Sequence, residues 1–90
     1  MSAPRETTEK RLRIRAWRRG TREMDLVLGG FADAALAGLS DEALAGFDRL
    51  LEENDQDIYA WISGRTPAPE AHKAILAEIG AHLAASDFRG

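Results

Sequence analysis

The chain is 90 residues long, 44% hydrophobic and 30% charged, with no cysteine and a net charge of −3. This is the composition of one globular domain, and a domain that short buries only about 60–65% of the surface its unfolded chain exposes, leaving little room for a deep enzyme pocket. The missing cysteine excludes a disulfide scaffold, a thiol nucleophile and a cysteine-ligated zinc site.

Hydrophobic spacing predicts five helices and no strand. Residues 1–7 read as a flexible tail. A first helix is expected over 8–19, pairing Leu12 with Ala16 and Ile14 with Trp17, and Gly20 ends it because glycine tolerates the left-handed conformation found at helix ends. Thr21 then serves as N-cap of a second helix, with Glu23 in its first turn, where the helix dipole favours an acid. That helix has the cleanest apolar stripe: Met24, Val27, Leu28, Phe31 and Ala35. Gly29 and Gly30 interrupt it at about 1 kcal/mol each, which predicts a kink or a split. Ser40 caps a third helix running to about Glu53, with Leu44, Phe47, Leu50 and Leu51 on one face. Asn54 or Asp55 caps a fourth, which buries Ile58, Trp61 and Ile62 and stops at Gly64. After the stiff Thr66–Pro67–Ala68–Pro69 turn, a fifth spans about 69–85 with Ile75, Ile79 and Leu83 in register. The expected fold is all-α: a compact five-helix bundle, one domain over 8–86, with a short tail at 87–90.

No apolar run approaches the ~18–20 residues of a membrane span. The segment from Met1 to Arg15 is polar and contains acids, unlike the apolar centre of a secretory signal. A cytoplasmic location is expected.

Catalytic patterns are absent. His72 and His82 stand ten apart without a ligand pattern such as H-E-x-x-H, and both are expected at the surface or at helix ends. Gly29–Gly30 lacks the lysine and hydroxyl of a phosphate loop. Ser40, Ser63 and Ser86 have no His/Asp partners in a triad pattern, and Asp55 with Asp57 would need a cleft around them to act as an acid–base pair. No catalytic residue and no metal ligand is assigned.

Charge is distributed unevenly. Residues 5–23 hold eight Lys/Arg against three acids, while the rest of the chain holds four against twelve. Such asymmetry concerns partners and steering, not fold. Within the basic stretch, Arg19–Gly20–Thr21–Arg22–Glu23 crosses the first helix–helix turn. On one reading Arg19 and Glu23 complement the two helix ends, or pair with each other as a surface ion pair worth about 0–1 kcal/mol. On the other they form an exposed polar tip, with Gly20 letting a partner's backbone approach and the guanidinium offering forked donors. Trp17 and Trp61 are expected in the core; Tyr59 fits either the core edge or an interface. Arg13, Arg15 and Arg18 read as a solvated face that can contribute to docking.

The five-residue run resembles the R-G-x-x-E motif of the SdhE-type succinate dehydrogenase FAD assembly factors. Leu50–Leu51–Glu52 followed by Asp55–Gln56–Asp57–Ile58–Tyr59–Ala60–Trp61–Ile62 is similar to their second signature, an acidic turn leading into an aromatic helix. The likeness spans about residues 9–66; the first eight residues and the last helix match nothing distinctive. It implies a five-helix bundle that is not an enzyme. Such a protein binds the flavoprotein subunit of succinate dehydrogenase, and in some cases of fumarate reductase, and promotes covalent attachment of FAD to a histidine there. By the same resemblance Arg19, Gly20 and Glu23 bind the partner, with Asp25 a weaker transfer and Arg18 and Arg15 on the adjoining basic helix. No stably bound cofactor is implied, since FAD belongs to the partner, and the free chain is expected to be a monomer. Two other classes compete: a small helical nucleic-acid-binding module, which the downstream acids disfavour, and a toxin–antitoxin component.

Overall fold

The computed structural model describes residues 4–85. Among them the chain forms α1 (Arg5–Ala16), α2 (Arg22–Ala35), α3 (Asp41–Leu50), α4 (Asp55–Ile62) and α5 (Lys73–Ala85), with single 3-10 turns at Leu36–Gly38 and Glu70–His72 and no strand. The expected all-α bundle is the observed one. The tail expected at 87–90, Ser86 and the first three residues of the tail expected at 1–7 lie outside the described residues.

Caps set three of the helix starts as the sequence indicates. Thr21, Ser40 and Asn54 accept side-chain hydrogen bonds from the amides of Met24, Ala43 and Asp57. The apolar stripes then converge. Helix α2 packs on α1 and α5, and α5 also covers α3 and α4. Leu12, Leu28, Phe31, Leu36, Phe47, Leu50, Ile58 and Ile79 are fully buried at the centre. Phe31 and Phe47 meet at 5.5 Å between ring centroids, tilted by 47°, a favourable aromatic geometry.

Several sequence expectations fail, each for a physical reason. Helix α1 starts earlier than expected, at Arg5, so residues 5–7 are no tail. The Arg5 guanidinium donates to Glu9 (2.6 Å), to Asp41 (2.6 Å) and to the carbonyls of Leu36 and Leu39 (3.3 and 2.6 Å), binding this helix end to the α2–α3 connection. The Glu9 and Asp41 carboxylates push its pKa above the ordinary value. Helix α1 also ends early, at Ala16 rather than residue 19. Helix α3 stops at Leu50 rather than Glu53: the Glu52 and Glu53 amides tighten to i→i+3 bonds on the carbonyls of Arg49 and Leu50, and the carbonyls of Leu51 and Glu53 accept from the Arg19 side chain.

Helix α2 runs unbroken through Gly29 and Gly30, so the chain is not split there. A Cβ on Gly29 would lie 2.2 Å from Cδ2 of Trp17. The glycine admits the close approach of an indole. Trp17 is accordingly no core residue: it lies across α2 and stays 37% exposed, and Ile14 on the same wall is 47% exposed. Trp61 is half-buried against the core, as expected in part. His72, expected at the surface or at a helix end, closes the 3-10 turn directly before α5 and is buried. Its Nε2 lies 2.9 Å from Glu53 Oε2, and its ring packs on Trp61 at 5.5 Å. With Nε2 carrying the proton, the unpartnered Nδ1 is a bare lone pair, cheaper to bury than an N–H. His82 is half-buried, edge-on to Phe31.

Candidate functional site

The turn between α1 and α2 is built around one arginine. After Trp17 the Arg19 amide leaves the helical pattern and donates to Asp25 Oδ1 (2.7 Å), in the first turns of α2. Gly20 follows with φ +108°, a conformation that L side chains rarely adopt. Together these reverse the chain and send the Arg19 side chain inward. Its Nε donates to Asp55 Oδ1 (2.7 Å), Nη1 to the Leu51 carbonyl (2.7 Å) and Nη2 to the Glu53 carbonyl (2.6 Å). The rigid guanidinium fork suits three acceptors held at fixed angles. The Leu51 carbonyl is an orphan left by the end of α3, the Glu53 carbonyl belongs to the turn that follows, and Asp55 opens α4.

Arg19 is therefore not the outward-pointing cation the sequence suggested. Its side chain is 11% exposed and Asp55 is 18% exposed. It clips the α1–α2 corner to the α3–α4 turn. The carboxylate it meets belongs to Asp55 of the second signature, not to Glu23. The link continues inward, since Glu53 accepts from Arg19 through its backbone and contacts His72 through its side chain.

Glu23 sits where the sequence placed it. It is exposed, and among the described residues its side chain makes no hydrogen bond or ion pair. Beside it, Thr21, Glu23, Met24, Asp55, Gln56 and Tyr59 line a shallow groove of about 160 Å³ between the start of α2 and α4. A Cβ on Gly20 would find only Asp55 Oδ2, at 3.9 Å, so the face over the glycine is open. Tyr59, left open between core edge and interface, is 36% exposed on the wall of this groove.

The other candidates divide. Asp25 is half-buried and holds the turn through the Arg19 amide. Arg15 is spent within the fold, bridging Asp48 (2.7 Å) and Glu52 (2.8 Å) of the α3 side. Arg11 approaches Asp48 at 3.9 Å and Arg13 approaches Asp33 at 3.6 Å. Among the described residues Lys10, Arg18 and Arg22 are the cations of the basic stretch left without an acid. That is a poor basis for a phosphate-backbone footprint, which needs several free cations on one face. Sequence reasoning missed Leu51, Glu53 and Asp55 as the anchors of Arg19, because a separation of 32 to 36 residues leaves no local signal. Gln56 as part of the groove was missed for the same reason.

The model of the family described as "Flavinator of succinate dehydrogenase", Sdh5, matches residues 10–83. Among named relatives, the mitochondrial succinate dehydrogenase assembly factor 2 of Mycosarcoma maydis is 47% identical over 68 residues, covering 76% of this chain and 29% of that protein. The FAD assembly factor SdhE of Acetobacter pasteurianus is 39% identical over 61 residues, covering 68% and 56%. The mitochondrial succinate dehydrogenase assembly factor 2 of Schizosaccharomyces pombe is 37% identical over 70 residues, covering 78% and 50%. The chain thus spans no more than 56% of the length of these three relatives. The matched span contains the whole Arg19–Glu23 corner and the turn that Arg19 clips to it, and the chain belongs to the Sdh5 family, the flavinators of succinate dehydrogenase.

Proposed function

We propose that the chain binds the flavoprotein subunit of succinate dehydrogenase and promotes covalent attachment of FAD to a histidine of that subunit, without a reaction of its own. Membership of the flavinator family supports this, as do the names of the relatives. FAD travels on the client, and the chain holds no cofactor stably. Bond formation belongs to the flavin and the client's histidine; the chain contributes alignment, the part of catalysis that comes from holding reacting groups in place.

Glu23 is the observation that carries the reading at the level of residues. It is an unpaired carboxylate on a corner whose backbone is fixed from two sides, by Gly20 at positive φ and by the inward Arg19. With the backbone of the corner already fixed, binding a client cation or amide orders only the Glu23 side chain and not the turn that carries it. The groove toward Tyr59 supplies apolar surface beside it. In this mechanism Arg19 is a positioning residue, and Gly20 and Glu23 are what the client touches. The free chain acts as a cytoplasmic monomer.

The test is a reconstituted reaction of the purified chain, the apo flavoprotein subunit and FAD, read as protein-bound flavin fluorescence after denaturing electrophoresis. Glu23→Ala should lose most covalent flavin while melting like the unmodified chain. Full flavinylation by Glu23→Ala would overturn the assignment. Running the same assay on the flavoprotein of fumarate reductase determines whether that protein is also a client.

A further inference from the structure

A second surface lies on the outer side of helix α1 and the turn that follows it. Ile14 and Trp17, 47% and 37% exposed, share one shallow outer groove with Lys10, Arg13, Arg18 and Asp33. Two large, partly exposed apolar side chains lining one groove are a candidate interaction surface. The indole is also fixed in advance. It rests on Gly29, where a Cβ would overlap its ring at 2.2 Å, and its Nε1 donates to Asp33 Oδ2 at 3.2 Å. A buried-edge tryptophan that is already ordered pays little entropy on binding. Tryptophan and arginine are the residues most often found at the energetic centre of interfaces.

Charge says what fits. The one acid of the groove, Asp33, is already engaged by Trp17 and by Arg13 at 3.6 Å, while Lys10 and Arg18 have no acidic partner among the described residues. The groove is therefore apolar at its floor and cationic at its rim. We propose that it is a second docking surface, which receives an acidic segment of the client carrying one large apolar side chain. The inference rests on the client-binding reading above and extends it to a surface that the R-G-x-x-E motif does not include. Trp17 and Arg18 directly precede Arg19 and Gly20, so one client can span both surfaces.

The experiment is a titration of the full chain against the FAD-loaded flavoprotein subunit of succinate dehydrogenase by calorimetry, at low and at high salt. The variants are Ile14→Asp and the double change Lys10→Glu with Arg18→Glu, all at exposed positions. Ile14→Asp should weaken binding by about tenfold or more, the scale of an interface anchor. The double charge reversal should weaken it by a similar factor and flatten the salt dependence. Melting temperatures near that of the unmodified chain show that neither change acts through the fold. Binding by the unmodified chain, with both variants matching it in affinity and salt response, overturns this inference and leaves the function standing. An unmodified chain that does not bind the client at all overturns both. Self-association of the chain, abolished by Ile14→Asp, would assign the groove to a second copy and overturn the inference as well.

Discussion

The two walls of helix α1 carry the same kinds of residue and use them in opposite ways. On the inner wall and at the two ends, Arg5, Arg15 and Arg19 each reach across to acids or carbonyls of the α3 region. On the outer wall Lys10 and Arg18 meet no acid among the described residues, and they flank an exposed isoleucine and a tryptophan. The basic stretch thus serves mainly as a strap. A surplus of positive charge in the sequence becomes a modest, local surplus in space, because the downstream acids fold back onto it. Net charge of a segment says little about what it offers a partner until its internal pairings are known.

The largest effect expected from breaking the inner wall is at Arg19. Replacing it with alanine leaves the Leu51 and Glu53 carbonyls and the Asp55 carboxylate without their donor in a nearly closed site. Leaving such groups unpaired should cost about 2–4 kcal/mol. For a small domain that is a large share of total stability. Urea denaturation followed by circular dichroism measures it, and loss below about 1 kcal/mol, within the range of an exposed ion pair, would show the clip to be dispensable. Arg19→Lys should recover only part of the loss, since an ammonium cannot serve three acceptors arranged for a fork. Low flavinylation by Arg19 variants then reports a loosened corner, whereas low flavinylation by Glu23→Ala reports a lost contact.

The inside–outside division of Arg19 and Glu23 was not legible in the sequence. Composition, periodicity and caps were enough to place five helices, the Thr21, Ser40 and Asn54 starts, and the stripes of α2 and α3, because those signals are local. The R-G-x-x-E run was visible too, but its geometry depends on Asp55 and the end of α3, more than thirty residues away. The same limit misplaced Trp17 and Gly29. Read alone, an aromatic on a helical stripe belongs in a core and a glycine in mid-helix breaks it; read together, twelve residues apart, each explains the other. His72 shows the reverse case. A histidine with no ligand pattern was expected at the surface or at a helix end; it sits at the end of a 3-10 turn, but buried, because Glu53 and Trp61 give it a partner and a ring to pack on.

A second, smaller effect sharpens the outer wall. Gly29→Ala should gain up to about 1 kcal/mol in helix propensity but force the indole aside, and overpacking of this kind costs about 1–3 kcal/mol. The expected net result is a destabilisation of about 0–2 kcal/mol, with loss of the Trp17–Asp33 hydrogen bond. The decisive comparison is a double-mutant cycle. With Trp17→Ala already in place, the three atoms nearest a Cβ at position 29 are gone, and Gly29→Ala should change sign and stabilise. Additive effects across the cycle would mean that Gly29 and Trp17 do not constrain each other.

The smallest effect is expected at Arg15, and it separates the strap from the docking surface most cleanly. Its pairs with Asp48 and Glu52 are short, but the side chains are 30%, 38% and 73% exposed. Solvent screens pairs so placed, so Arg15→Gln should cost about 0–1 kcal/mol in dilute buffer. The cost should shrink in 1 M salt, where the screening length falls to about 3 Å. Client binding should be unaffected, because the guanidinium already faces α3. A variant that keeps its melting temperature but loses affinity for the flavoprotein would put Arg15 on the docking side, and the division of α1 into an inner and an outer wall would then fail at its midpoint.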